Sequence, residues 1–227
     1  IVRLVGSEMC IRDRNEKEIY IKILQWLNNK KEVAIANVIE TWGSSPRPVG
    51  SIMAINSDHD IIGSVSGGCV ENFVFGKALE VIKNNNVETL EFGVTNSKAW
   101  EVGLTCGGKI KVFLEKISHK DIDFIKKVNE VYTKNETMVI ATRLNDGQRD
   151  IFDNTEANKS KTKFKIDFNT IKSGIRLLDN QEWFLKVFQN NAKIIIIGAV
   201  HIAEPLINFA NHLNYEVFLI DPRSTFN

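Results

Sequence analysis

Hydrophobic and polar residues follow two periods along this chain, and the two periods predict its helices and strands. After Asn15, apolar residues recur at three- and four-residue spacing, which is typical of one face of an α-helix. Glu18 completes an N-terminal capping box with Asn15. The predicted strands are shorter runs of β-branched and apolar residues between turn-forming residues. The pattern predicts helices at 15–29, 70–84, 121–134 and 201–213, and strands at 33–41, 51–56, 61–65, 87–94, 110–117, 138–143, 183–188, 193–197 and 216–220.

The order of these elements predicts an α/β protein in two parts. Residues 15–190 are expected to form an N-terminal α/β domain with a mixed sheet. Asn190-Asn191 breaks the pattern, and the continuous apolar run 193–197 after it is typical of a strand buried on both faces of a parallel sheet. With the next helix and strand it predicts one β-α-β unit, an incomplete Rossmann-like domain at 191–227. One such unit is too small to bury its own apolar faces, so the chain is expected to be truncated at its C-terminus.

The first fourteen residues are expected to be a non-native leader. The run from Leu4 to Arg14 resembles the conceptual translation of a sequencing adapter. Residues 1–14, Cys10 among them, are therefore left out of the reasoning on fold and function.

Composition and charge exclude several broad classes of protein. The chain has 227 residues, of which 43% are hydrophobic and 25% charged, as in an ordinary globular protein. A net charge of +1 gives no field for nucleic acid or a membrane surface, so neither is an expected partner. The longest apolar run, 194–197, is too short to cross a bilayer. Three cysteines do not make a disulfide scaffold, so a reducing cytoplasm is the expected compartment.

Two segments that join a glycine pair to a cysteine carry most of the candidate chemistry. The first is Ser66-Gly67-Gly68-Cys69 and the second is Cys106-Gly107-Gly108. Glycine pairs let the backbone approach a ligand closely. The first cysteine is expected at the N-terminus of a helix, where the thiolate form is favoured, and the second on a loop at the start of a strand. The two segments predict one site with two thiols and backbone amide donors, although a buried thiol and a plain turn also fit each segment taken alone.

Arg47 is a candidate anion-binding residue. Pro46 and Pro48 frame it, and a guanidinium presented on such a rigid loop suits a phosphate or a carboxylate; a solvated loop arginine is the alternative. A zinc site is not indicated, because the four histidines show no ligand spacing with Cys69 or Cys106.

The segment after strand 193–197 has the context of a dinucleotide-binding turn. Gly198 and Ala203 occupy the first and third positions of the Gly-x-Gly-x-x-Gly/Ala pattern between a strand and a helix. Val200 stands in the second position, where a branched side chain is expected to obstruct a pyrophosphate. Asp221 closes the next strand near the place of a ribose-binding acid, and His201 opens the helix. These features leave nucleotide binding open.

In one order across nearly all of residues 15–227, the chain resembles the xanthine dehydrogenase accessory family of XdhC/CoxI type. The resemblance is carried by Ser44-Ser45-Pro46-Arg47 with Gly50; by Ser66-Gly67-Gly68-Cys69-Val70-Glu71; by Gly103-Leu104 with Cys106-Gly107-Gly108; and by Gly198-Ala199-Val200-His201-Ile202-Ala203 with Asp221 and Arg223.

The resemblance implies an accessory protein rather than an enzyme. Members of the family are maturation factors for molybdenum hydroxylases. They bind the molybdenum cofactor, a molybdopterin, support its sulfuration with a cysteine desulfurase, and deliver it to an apo-enzyme of the xanthine dehydrogenase type. They are typically homodimers with an N-terminal cofactor-handling region and a C-terminal Rossmann domain.

The resemblance also implies a cofactor site. Thiolates are soft ligands suited to molybdenum, so Cys106 is expected to be the principal thiol at the metal and Cys69 its partner. The pterin carries a phosphate, which backbone amides and an arginine can hold. The predicted set is Cys106, Cys69, Gly67, Gly68, Gly107, Gly108, Arg47, Ser66 and Glu71.

Two other functions stay open at this point. An NAD(P)-dependent oxidoreductase would use Gly198, His201, Ala203 and Asp221, although Val200 replaces the family's usual glycine. A thiol redox or metal-binding protein would use Cys69 and Cys106.

Overall fold

The fold is known from a computed structural model that describes residues 16–45, 47–93, 108–134, 137–153, 166–168, 170–188, 192–213 and 215–223. The described helices are α1 (Glu16–Asn28), α2 (Glu71–Asn84), α3 (Ile122–Lys134) and α4 (Ala203–His212). The described strands are β1 (Val33–Trp42), β2 (Ile52–Asn56), β3 (Ile61–Gly63), β4 (Val87–Phe92), β5 (Lys109–Ile117), β6 (Met138–Arg143), β7 (Arg149–Asp153), β8 (Gly174–Leu178), β9 (Gln181–Phe188), β10 (Lys193–Ile197) and β11 (Glu216–Ile220). None of the described helices has both the length and the hydrophobicity that a membrane span requires. The chain divides into two compact units between Phe188 and Gln189, close to the predicted boundary.

The first unit contains two sheets, and both are antiparallel throughout their described strands. One sheet has the strand order β3-β2-β1-β5-β4 and the other β7-β6-β9-β8. The expectation of a mixed sheet is therefore wrong. The reason lies in the connections: β2 and β3 form a hairpin, and α2 carries the chain from one edge of the five-stranded sheet to the other.

The five-stranded sheet lies between two layers. Along β1, Ala34, Ala36 and Val38 belong to the core formed with α2. The alternate residues, among them Val33 and Ile35, face α1, α3 and the four-stranded sheet. Successive side chains of a strand point to opposite faces, so the two cores follow directly from the alternation within β1.

The antiparallel register brings three connecting segments to one end of this sheet. Trp42 at the end of β1 pairs with Lys109 at the start of β5, and the end of β4 lies beside the start of β5. The start of β2 and the end of β3 are on the same side. The chain therefore leaves β1, β3 and β4, and enters β2 and β5, at the same end of the sheet.

The second unit is a β-α-β unit in which β10 and β11 pair in parallel. The expectation that β10 is buried on both faces is wrong for the described residues, since Ile197 is 79% exposed and Ile195 62% exposed. Here β11 pairs with β10, and α4 contacts β11. These described elements leave much of the apolar surface of β10 uncovered. The Rossmann-like assignment stays a prediction.

The remaining predicted elements are confirmed to within a few residues, with two differences. The strands β7 and β8 were not predicted, because residues 149–178 show no clear alternation. The predicted capping residue Asn15 lies outside the described residues.

A buried ion-pair cluster joins the two sheets of the first unit. Arg149 at the start of β7 contacts Glu115 of β5 at 2.7 Å and Asp121 at 2.7 Å. Burial raises the pKa of Glu115, and the charge and hydrogen bonds of Arg149 oppose that shift. Arg149 thus stabilises the ionised form of Glu115, which is buried between the sheets.

We predict that Arg149→Met costs about 3–5 kcal/mol of unfolding free energy at pH 7, because it leaves Glu115 buried without its charge partner. The loss should shrink as the pH is lowered from 7 towards 5. The raised pKa lets the folded variant bind a proton at higher pH than the unfolded chain does, so stability falls as pH rises through that window. Urea unfolding at the two pH values measures both effects.

Arg143 provides the matched control for this variant. It pairs with Asp146 on the protein surface, so Arg143→Met should cost much less and show no such pH dependence. An Arg149→Met loss that stays the same between pH 7 and pH 5 would contradict the assignment of Glu115 as the unpaired group.

Candidate functional site

The loop that carries the first glycine-cysteine segment is built around the carboxylate of Glu71. Within residues 64–70, six hydrogen bonds reach this carboxylate. The hydroxyls of Ser64 and Ser66 donate at 2.7 and 2.5 Å. The backbone amides of Ser66 and Gly68 donate at 2.8 and 2.9 Å, and those of Val65 and Val70 at 3.2 Å. The loop is therefore a nest of donors with its own anion inside it.

These hydrogen bonds set the charge state of Glu71. Burial alone would raise its pKa, but the hydroxyls of Ser66 and Ser64 and the amide of Ser66 outweigh burial and lower the pKa to about 2. Glu71 is thus a carboxylate at neutral pH. Sequence analysis included Glu71 in the motif but did not assign it this role, which depends on the loop folding back onto the first turn of α2.

The backbone donors predicted for a ligand are occupied within the loop. The amide of Gly67 donates to Ser64 Oγ at 2.9 Å, and that of Gly68 to Glu71. The φ angles of Gly67 and Gly68 are +76° and +120°, a region that favours glycine. A Cβ on Gly68 would meet no atom of the described residues within 4 Å. The two glycines thus give the loop its shape, and there is open space above Gly68.

Cys69 lies at the point where this loop enters α2. The N-cap residue is Val70. Ser66 still serves this helix end, because its Oγ accepts hydrogen bonds at 3.0 Å from the amides of Cys69 and Val70. Cys69 is half-buried against the core beside α2, so its sulfur is held by packing but is not sealed in the interior.

The second glycine-cysteine segment meets the arginine loop at Gly108. A Cβ on Gly108 would lie 2.3 Å from the carbonyl oxygen of Ser44 and 3.1 Å from that of Trp42. Only glycine allows this approach. The backbone entering β5 is thus pressed against segment 43–51, which contains Arg47. Arg47 is half-buried in that loop.

The predicted site residues fall into two groups. The five-stranded sheet places Arg47, Gly108 and residues 66–71 at one end, and a single site formed by them stays a prediction. Cys106 and Gly107 lie outside the described residues, so their placement and the distance between Cys106 and Cys69 stay predictions. Among the residues that the structure describes, no three His, Cys, Asp or Glu side chains are grouped as a metal site requires.

The turn of the second unit also carries an internal carboxylate. Asp221 accepts a hydrogen bond from the amide of Ala199 at 2.6 Å and contacts Arg223 at 2.8 Å. Hydrogen bonds from Arg223 and from the amide of Ala199 hold the pKa of Asp221 well below its usual range. Its side chain is only 4% exposed. The predicted ribose-binding acid is therefore already bound to the turn.

A surface cavity of about 570 Å³ borders this turn. Val200, His201 and Arg223 are among its lining residues, and Gly198 has a φ of +108°. The cavity provides room beside Val200, which a nucleotide bound at this turn would require.

Comparison with known proteins finds one family that part of the first unit resembles. The profile of the XdhC and CoxI family matches residues 26–93, a range that includes Arg47 and the whole Glu71-centred loop. The resemblance seen in the sequence is confirmed.

Two curated relatives extend this result. The molybdenum cofactor insertion chaperone PaoD of Escherichia coli (strain K12) is 32% identical over 91 residues, which are 40% of this chain and 28% of that protein. A probable xanthine dehydrogenase subunit of Bacillus subtilis (strain 168) is 22% identical over 208 residues, which are 88% of this chain and 62% of that protein. The chain thus spans less than two thirds of the length of either relative.

A solved structure supports the fold. The crystal structure of a xanthine dehydrogenase from Bacillus halodurans matches with a TM-score of 0.66 and 22% identity, over 91% of this chain and 63% of that chain. The predicted α/β fold class is confirmed.

We predict that Glu71→Gln loosens the loop at 64–70 and costs about 1–3 kcal/mol at neutral pH, because several donors lose a charged acceptor. The wild-type protein should lose this stabilisation as pH falls from about 4.3, the ordinary pKa of glutamate, towards about 2, whereas the variant should show no such drop. Urea unfolding of both proteins at a series of pH values measures these changes in unfolding free energy. Alkylation of Cys69, quantified by mass spectrometry, should also become faster in the variant.

Glu80→Gln is the matched control on the same helix. Glu80 pairs with Lys77 on the surface of α2, so its replacement should leave both the Cys69 alkylation rate and the acid limb of the stability curve unchanged. Equal Cys69 alkylation in Glu71→Gln and wild type would show that Glu71 does not hold the loop.

Proposed function

We propose, from the match to the XdhC and CoxI family over residues 26–93, that this chain takes part in the maturation of a molybdenum hydroxylase. In this proposal it binds the molybdenum cofactor, a molybdopterin, and supports its sulfuration and insertion into an apo-enzyme of the xanthine dehydrogenase type. A cysteine desulfurase is the proposed sulfur donor, and a homodimer the proposed state of the full-length protein.

The observation that carries the proposal is the shared end of the five-stranded sheet. The described part of this end offers a half-buried thiol at Cys69, open space above Gly68 and the loop of Arg47. A soft thiol and a guanidinium at the same end of the sheet fit a group that has a soft metal at one end and a phosphate at the other. The residues present are thus compatible with the cofactor.

In this proposal, one group of residues contacts the metal of the cofactor and another group contacts its phosphate. Cys106 is the proposed principal thiol at molybdenum and Cys69 its partner. Arg47 is the proposed contact for the phosphate, with Gly107 and Gly108 as backbone donors. Ser66, Gly67, Gly68 and Glu71 shape the loop that presents Cys69, since their own hydrogen bonds are made within it. The cofactor itself supplies the metal that carries the oxo or sulfido ligand.

Nucleotide binding by the second unit is the alternative function. The cavity beside Val200 favours it. The occupied carboxylate of Asp221 opposes it, because a ribose hydroxyl would have to compete with Ala199 and Arg223 for the same oxygens. The proposal therefore assigns no NAD(P) chemistry to this chain.

We predict that the purified chain retains molybdopterin and that Cys106→Ala weakens retention about tenfold or more, which corresponds to about 1.4 kcal/mol of lost binding free energy. Cys69→Ala should weaken it less, since Cys69 is the partner thiol. Fluorescence of the oxidised pterin and the molybdenum content measured by mass spectrometry report retention.

Cys10→Ala is the matched control, because it removes a third thiol that has no proposed role. Equal retention by Cys106→Ala and wild type would remove Cys106 from the site. Absence of pterin from the wild-type protein, together with binding of NADPH, would favour the oxidoreductase. A Cys69–Cys106 disulfide found by peptide mapping would favour the thiol redox protein.

A further inference from the structure

Two polar side chains interrupt the apolar faces that meet between the sheets of the first unit. On β1, Asn37 stands on the face that otherwise presents Ile35 and Ile39 to the opposite layer. On β9, Lys186 stands between Phe184 and Phe188 on the face that meets it. Asn37 is 5% exposed and Lys186 4% exposed. Neither residue belongs to the site proposed above.

A small cavity lies where these two residues face each other. Its volume is about 10 Å³, which by the same measure is about the space of one water molecule. Five polar residues from both sheets and from α1 line it, together with Ile35, Phe124, Ile140 and Phe184; the polar ones are Tyr20, Asn37, Glu115, Thr142 and Lys186. The cavity is therefore too small for an organic ligand and too polar to be a dry void.

Asn37 lines this cavity, and its side-chain oxygen is an acceptor without a donor among the described residues. Asn37 Oδ1 is fully buried, and no residue in the described part of the chain donates a hydrogen bond to it. Leaving a buried acceptor without a donor is costly, so such groups in native proteins are nearly always paired with protein or with ordered water.

Asn56, another buried asparagine, has hydrogen-bond partners for its side chain. Its Oδ1 accepts hydrogen bonds from the amides of Asp58 and Asp60, each at 2.9 Å, and its Nδ2 donates to Asp60 Oδ2 at 2.8 Å. Asn56 is thus satisfied by protein atoms alone. Unlike Asn56, Asn37 needs a hydrogen-bond donor that the described protein atoms do not supply.

We propose that this cavity binds one ordered water molecule, which donates a hydrogen bond to Asn37 Oδ1 and links the two sheets. The surrounding charges favour a neutral occupant. Lys186 and Arg149 disfavour a cation, whereas Glu115 and Asn37 Oδ1 disfavour an anion. Water both donates and accepts, which matches a wall that contains an amide oxygen, a carboxylate, hydroxyls and an ammonium group.

The water site lies beside the contact that holds the arginine loop. Lys186 Nζ donates to the carbonyl oxygen of Gly50 at 2.7 Å and lies 3.4 Å from Glu16 Oε1. The backbone of Gly50 in turn pairs with Val38, next to Asn37. The bound water therefore completes a polar layer between β1 and β9, at the base of segment 43–51.

A crystal structure of the wild-type chain at about 1.5 Å resolution tests the proposal directly. The expected result is one spherical peak in the cavity within about 3.2 Å of Asn37 Oδ1. Magnetic relaxation dispersion of ¹⁷O-water, which counts long-lived waters in solution, should show one fewer in Asn37→Leu than in wild type. Asn56→Leu is the matched control and should leave this count unchanged.

Three results would overturn the proposal. The first is a cavity without electron density in the wild-type crystal. The second is an anomalous peak in the cavity after soaking with rubidium or bromide, which would assign an ion. The third is an unchanged count of long-lived waters in Asn37→Leu. If that variant does not fold, the wild-type crystal alone decides between the outcomes.

Discussion

The antiparallel pairing of β1 with β5 is the constraint on which the rest of the first unit depends. It sets Trp42 opposite Lys109, so the backbone at Gly108 comes against Ser44 and the arginine loop. It also fixes which side chains face which layer. A shift of one residue in this register would exchange the two faces of a strand, moving Asn37 or Glu115 into the apolar core beside α2. The register of β1 and β5 thus determines the position of both the candidate site and the polar layer.

Two glycine turns in the described part of the chain contain a carboxylate supplied by the chain itself. Glu71 fills the nest at 64–70, and Asp221 accepts from the turn at Ala199. Glycine turns of this kind are able to bind phosphate through their amides. In the first turn the amides of Gly67 and Cys69 donate to serine hydroxyls, and those of Ser66 and Gly68 donate to Glu71. In the second turn the amide of Ala199 donates to Asp221. These bonds stabilise the turns without a ligand. Glycine at these positions is required by backbone shape, and close contact with a bound anion is not needed to explain it.

The sequence predicted local elements well and long-range contacts poorly, for physical reasons. Periodicity located α1, α2 and most strands because burial on one face imposes it. It missed β7, whose residues Arg149 and Asp150 are polar, and Arg149 is buried only because Glu115 lies opposite it. The role of Glu71 depends on the angles of Gly67 and Gly68, which no spacing rule supplies. Asn37 was detectable in principle, as one polar residue on an inward face of alternating apolar residues.

Under the proposed function, the internal carboxylates bear on selectivity. A loop with vacant amides and a thiol would bind free phosphate or sulfate, which far outnumber a scarce cofactor in a cell. With Glu71 in the nest, the positive potential of the loop and of the first turn of α2 is neutralised from within. A guest then gains little from charge alone at this loop. It must offer a soft atom to the thiol of Cys69 while its phosphate is held by Arg47 on the neighbouring loop, and a free anion satisfies only the second of these requirements.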